Sequence, residues 1–128
     1  MSADYVVIDS TGALVSQSFP YSKLFATSNA FFFAPPPGLA YLILTFRTGY
    51  TDPTDAAVVT INGTIIAEIY PSPFTSNIYD VETAFFVFDN ALLQSPIQIL
   101  QIIPQGNLND LNNYVIVGDV ICHYRSSI

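Results

Sequence analysis

Short apolar runs, rich in β-branched and aromatic residues and broken by turn residues, recur along the 128-residue chain. They predict strands at 4–9 (DYVVID), 13–19 (ALVSQSF), 30–34 (AFFFA), 40–48 (AYLILTFRT), 56–61 (AAVVTI), 64–70 (TIIAEIY), 80–88 (DVETAFFVF), 97–103 (IQILQII) and 114–124 (YVIVGDVICHY). No window sustains a helical period with a cap. The best helical candidate is a single turn in DNALLQS, at 89–95. The reading is all-β.

The punctuation between the runs supports it. Asn62-Gly63 joins two apolar runs, and a type I′ hairpin turn needs positive φ at both central residues, which that dipeptide supplies. Residues 30–46, AFFFAPPPGLAYLILTF, carry no charge. A helical membrane span needs about 20 apolar residues with every backbone group satisfied internally. Pro35-Pro36-Pro37-Gly38 interrupts the stretch, withholding amide donors and inviting a turn. Its flanks have the length of strands. With no repeat and no linker, the chain reads as one domain over 1–128: a single antiparallel β-sandwich, jelly-roll-like, of about nine strands. A closed barrel is the alternative architecture.

If each strand crosses the sandwich once, successive connections alternate between its ends. One end then collects Ser10–Gly12, the turn at 35–39, Asn62-Gly63 and the 89–96 connection. The other collects 20–29, 49–55, 71–79 and 104–113, which are longer and polar. Loops longer than a connection requires are usually functional or mobile, so the second end is the expected working surface. It offers Tyr50, Asp52 and Asp55, then Asn77 and Tyr79, then Asn107, Asn109, Asp110, Asn112 and Asn113. Carboxylates and carboxamides engage paired sugar hydroxyls, and tyrosine rings pack on the apolar C–H face of a sugar. The oxygens of Asp52, Asp55 and Asp110 also suit Ca²⁺, a hard cation that takes six to eight oxygen ligands. The same residue types are favoured in plain turns, so turn, sugar and calcium readings all stand at this stage.

Composition narrows the partners. Charged residues make up 10% of the chain, against about 25% in an ordinary soluble domain. Ten acidic residues face only Lys23, Arg47 and Arg125, for a net charge of -7. No basic patch can form, which excludes phosphate-directed nucleic-acid binding and disfavours anionic membranes. Hydrophobic residues reach 51%, and several strands are apolar on both faces; Phe31 and Phe33 share one face while Phe32 takes the other. A sheet covered on one side alternates apolar and polar, so a second copy of the chain is expected to cover the other side. The N-terminus, MSADYVVIDSTG, shows no Sec-type leader pattern, which predicts a cytoplasmic protein or export by a non-classical route.

Catalytic constellations are weak. VVIDSTGA resembles the aspartic-protease signature, but two residues separate Asp9 from Gly12 instead of one, and a hairpin turn accounts for it better. Cys122 and His123 are adjacent; on a strand they point to opposite faces and cannot pair as nucleophile and base. Cys122 is expected in the core, and His123 on a face with Asp119, Ile121 and Arg125. A single cysteine also excludes an intrachain disulfide. Glu68 and Glu82 are the only glutamates, and nothing sets their separation; the hairpin register predicts Glu68 on one face with Val59, Ile61 and Ile66. Asn62-Gly63-Thr64 matches the glycosylation sequon but reads as hairpin chemistry. No enzyme is expected.

Residues 56–125 carry Ile61-Asn62-Gly63, then Asn90-Ala91-Leu92 with Ile97-Gln98-Ile99, and then Asp119-Val120 through Tyr124. That order resembles the C-terminal portion of galactose-binding-like jelly-roll modules. The resemblance implies a β-sandwich that binds carbohydrate through loops at one end, often with a structural calcium. The resulting expectation is a non-catalytic, lectin-like carbohydrate-binding module acting as a homo-oligomer. A self-assembling structural subunit, of capsid, fibre or inclusion type, is the alternative.

Overall fold

Alternate residues are buried along the central strands: Ala40, Leu42, Leu44 and Phe46 in one, Val120, Cys122 and Tyr124 in another, Leu100 and Ile102 in a third. Fully burying one Leu or Ile side chain stabilises a fold by roughly 1.5–3 kcal/mol, so this period-2 pattern fixes which face of each strand turns inward. The structure, a computed structural model, describes residues 2–16, 20–27, 35–48, 57–69, 81–104 and 115–126. Among the described residues are nine strands: β1 (Ser2–Asp9), β2 (Ala13–Val15), β3 (Tyr21–Ala26), β4 (Leu39–Thr48), β5 (Ala57–Ile61), β6 (Thr64–Ile69), β7 (Glu82–Asp89), β8 (Ile97–Pro104) and β9 (Val115–Ser126). They form a sandwich of two antiparallel sheets. One runs β1-β9-β4-β7, with β2 also on β9; the other runs β3-β8-β5-β6. The expected all-β sandwich is what the chain adopts.

The hairpin turn is as expected: Asn62 and Gly63 have φ of 52° and 83°. The turn in DNALLQS is a 3-10 helix, Asn90–Leu92, capped by the Asp89 side chain, which accepts from the Ala91 N–H. Cys122 is fully buried, and burial pushes its thiol up to about 12, so it stays protonated and unreactive at neutral pH.

Three expectations are corrected. Residues 20–29 were expected to be a loop, yet they contain β3. Its inward row is Tyr21, Lys23 and Phe25, continued by Thr27 just after the strand; the lysine in that row hides the alternation, and its ammonium reaches the Asp9 carboxylate at 3.9 Å. Ser10–Gly12 is not a hairpin: β1 and β2 both run antiparallel to β9, as one edge interrupted by a kink. The Asp9 carboxylate accepts from the Thr11 N–H and hydroxyl, which bends the edge without reversing it. Glu68 does not share a face with Val59, because a bulge between Val59 and Thr60 shifts the register and sets Glu68 opposite Val58, with Val59 opposite Ala67. The expected strand at 30–34, with Phe31, Phe32 and Phe33, lies outside the described residues.

One end of the sandwich is closed by buried carboxamides. Asn90, with no exposed surface, donates from Nδ2 to the carbonyls of Pro36 and Arg125 and accepts the Arg125 N–H at Oδ1. Gln98, equally buried, donates to the Ser95 carbonyl and the Thr27 hydroxyl and accepts from Asn62. Asn62 also takes the Ile99 N–H and donates to the Leu92 carbonyl. Satisfied polar networks of this kind fix the geometry of an end in a way that apolar packing does not.

Candidate functional site

The register gathers the remaining strand ends at the opposite side of the sandwich. Thr48, closing β4, pairs with Val115, opening β9. Phe46 pairs with Glu82 at the start of β7. In the second sheet Ala57, opening β5, pairs with Ile69 at the end of β6 and with Pro104 at the end of β8. The three segments 49–56, 70–80 and 105–114 therefore leave and re-enter the sandwich at one end. All ten residues nominated from the sequence, Tyr50, Asp52, Asp55, Asn77, Tyr79, Asn107, Asn109, Asp110, Asn112 and Asn113, fall in these segments and lie outside the described residues. So do the three proposed calcium ligands, Asp52, Asp55 and Asp110. Among the described residues, no group of three or more His, Cys, Asp or Glu side chains is placed to hold a metal ion.

Where those segments attach, the outer face of the first sheet has a depression of about 210 Å³, lined by Gly12, Thr45, Arg47, Val81, Ile116 and Gly118 among others. Two causes make it concave. A bulge between Leu44 and Phe46 offsets β4 against β9, and Gly118 presents no side chain. A Cβ on Gly118 would lie 2.7 Å from the Thr45 hydroxyl oxygen, which accepts the Asp119 N–H at 2.7 Å. Arg47, Val81 and Ile116 each stand within two residues of one of the three segments. Sequence reasoning did not find this depression. The Gly118-Asp119 step inside an otherwise β-branched strand was its one signal.

Among the described residues, the rest of that outer face is largely apolar and partly exposed. Cross-strand neighbours form two rows, Tyr5–His123–Tyr41–Val87 and Val7–Ile121–Ile43–Phe85. Tyr5 is 62% exposed and Phe85 64%, values that belong to surface residues. The His123 ring stacks between Tyr5 and Tyr41, with centroids at 5.7 Å and 5.0 Å. The other sheet likewise exposes Leu24, Ile65, Ile97 and Ile99.

Asp9, the residue nearest to a protease motif, has a structural post. Its carboxylate bridges the two edge strands, accepting the Tyr21 hydroxyl at 2.8 Å beside the Lys23 ammonium. The bond from the Thr11 N–H, then the Thr11 hydroxyl, the Tyr21 hydroxyl and the Lys23 charge, hold its carboxyl down to about 2. Burial, and then Asp9 itself, raise the Tyr21 hydroxyl far above its ordinary value.

No protein-family model matches the chain, and no curated protein matches it. Solved structures do. A family 35 carbohydrate-binding module from an environmental isolate is similar over 100% of this chain and 91% of its own, with a TM-score of 0.56 at 14% identity. The native structure of a family 35 carbohydrate-binding module from Clostridium thermocellum is 12% identical, over 88% of this chain and 98% of that one, with a TM-score of 0.48. At 14% identity the first of these likenesses is one of fold, and it agrees with the jelly-roll architecture that the Asn62-Gly63 hairpin and the strands after it resemble.

Proposed function

We infer that the protein is a non-catalytic carbohydrate-binding module that works as a homo-oligomer. The observation that carries this reading is that the strand ends joined by three segments gather at one end of the sandwich, where the first sheet has a depression between β4 and β9, on a fold shared over the whole chain with a carbohydrate-binding module. Segments 49–56, 70–80 and 105–114 supply the carboxylates, carboxamides and tyrosines that such binding uses, and Arg47 and Thr45 stand at their base. The test is calorimetric titration with oligosaccharides chosen by a glycan-array screen. Asp52→Ala and Asp110→Ala are each expected to weaken binding about tenfold with the melting temperature unchanged. Full affinity in both variants removes the site.

A second reading, a structural subunit that assembles with itself, is favoured by the exposed apolar residues of the outer faces, since monomeric proteins rarely expose contiguous patches above a few hundred Å². Sedimentation equilibrium separates the two. A defined small oligomer that binds sugar supports the module; open-ended assembly without sugar binding supports the subunit; and a concentration-independent monomer excludes the oligomer in both.

A further inference from the structure

The outer face of the first sheet is complementary to itself. Its two rows, Tyr5–His123–Tyr41–Val87 and Val7–Ile121–Ile43–Phe85, lie side by side across β1, β9, β4 and β7. We propose that this face docks on the same face of a second copy of the chain, about a two-fold axis that lies between the two sheets and runs across their strands. This interface rests on the homo-oligomer reading above and gives that reading a surface and an orientation.

The area is sufficient. Tyr5, Val7, Leu39, Tyr41, Phe85 and Val87 are between 40% and 64% exposed. An aromatic side chain can bury about 150–250 Å² and an aliphatic one somewhat less, so these residues alone offer on the order of 600 Å². A standard interface takes about 800 Å² from each partner, and the half-buried Ile43, Ile121 and His123 between them supply more. The outer face of the second sheet has no such unbroken block. There the polar row Ser22–Gln101–Thr60 separates Leu24 and Ile99 from Ile103 and Val58.

Charge and size select the orientation. On the outward side of β9, Asp119 stands two residues before Ile121, and Arg125 two residues after His123; both are exposed. Cys122 is the midpoint between them, and it is also the midpoint between the two apolar rows. A two-fold axis across the strands at that level lays β9 in reverse on β9 of the second copy. Arg125 then meets Asp119 of the second copy, and the pair forms twice. The same rotation exchanges the rows, so Tyr5 faces Val7, Phe85 faces Val87 and Tyr41 faces Ile43. Larger rings thereby meet smaller side chains, which suits the interdigitation of sheets packed about 10 Å apart. The His123 ring is already held between Tyr5 and Tyr41, so little side-chain freedom remains to be lost on docking. An axis along β9 would instead set Asp119 on Asp119 and Arg125 on Arg125. Like charges in contact oppose that arrangement, and each chain already carries a net charge of -7.

Sedimentation equilibrium of the full chain, from about 1 to 200 μM to cover micromolar affinities, tests the interface. The parent is expected to be a dimer. Arg125→Asp and Asp119→Arg each place like charges together at both copies of the contact, so a tenfold loss per contact weakens the dimer about a hundredfold. The double variant Arg125→Asp/Asp119→Arg restores both pairs with their signs exchanged and should return to within about tenfold of the parent. Phe85→Lys, in the apolar block, should weaken the dimer as the single reversals do, and all four variants should melt with the parent. A parent dimer that the single variants leave intact overturns this interface while the homo-oligomer reading stands. A dimer broken by both reversals and not restored by the double variant overturns the orientation. A parent that stays monomeric removes the interface and the homo-oligomer together, and leaves the face to a glycan or another protein.

Discussion

Asn90→Ala is expected to destabilise the protein by about 3 kcal/mol or more, read as a lower denaturant midpoint with an unchanged slope. One fully buried side chain makes three hydrogen bonds to backbone groups that are distant in sequence: the Pro36 carbonyl, the Arg125 carbonyl and the Arg125 N–H. Alanine leaves those part-buried groups without their partner, and each unsatisfied buried group costs about 1–3 kcal/mol. The Asn90 N–H bond to Gly38 survives, since it belongs to the backbone. A loss below about 1 kcal/mol would mean that water or a local shift replaces the amide. Asn90→Asp provides a second reading, because it keeps the acceptor for Arg125 and leaves one donor when protonated and none when ionised. It is expected to fall between the parent and Asn90→Ala when the carboxyl is protonated, and to be worse when it is ionised opposite two carbonyl oxygens.

The second large effect depends on pH. In the native chain the Asp9 carboxyl sits at about 2, below its ordinary 3.8, because Thr11, Tyr21 and Lys23 all favour the ionised form. A depressed native value means that the unfolded state takes up the proton first as acid is added. The contribution is complete above about pH 4 and is lost as the pH falls from there through 2. One pKa unit is about 1.4 kcal/mol, and allowing for screening at this strand edge the contribution is about 1–2 kcal/mol. Urea midpoints measured from pH 5 to pH 2 should fall more steeply for the parent chain than for Asp9→Asn. Parallel profiles would show that Asp9 is not the group that links the two edge strands to pH.

Much of the fold was legible from local chemistry. Asn62-Gly63 announces its turn because few other dipeptides take positive φ twice. Cys122 and His123 fall on opposite faces because adjacent strand residues must. The charge-free stretch around Pro35–Gly38 excludes a helix by its own residues. In contrast, β3 was hidden by one residue: Lys23 stands in an inward row, and nothing local reveals that Asp9, across the sandwich, is there to receive it. The bulge at Val59/Thr60 was equally silent, and it carried Glu68 away from Val59.

The candidate sites divide the same way. The residues around 49–55 and 105–113 stand out by type alone, because Asp, Asn and Tyr in long segments are chemically conspicuous. The depression at Thr45 and Gly118 and the Tyr5–His123–Tyr41 stack are each built from residues of separate segments. Their proximity comes from strand order: β1, β9 and β4 are first, last and fourth in the chain, yet adjacent in the sheet.

The sequence by itself determined the class of fold, the Asn62-Gly63 hairpin, and the opposite faces of Cys122 and His123. Those properties follow from side-chain period and composition, which are local. Only the tertiary structure decided which strands are neighbours, where bulges shift the register, and hence which side chains share a pocket. Those outcomes depend on hydrogen bonds between residues tens of positions apart, such as Asn90 to Arg125 and Asn62 to Gln98, and no local pattern encodes them.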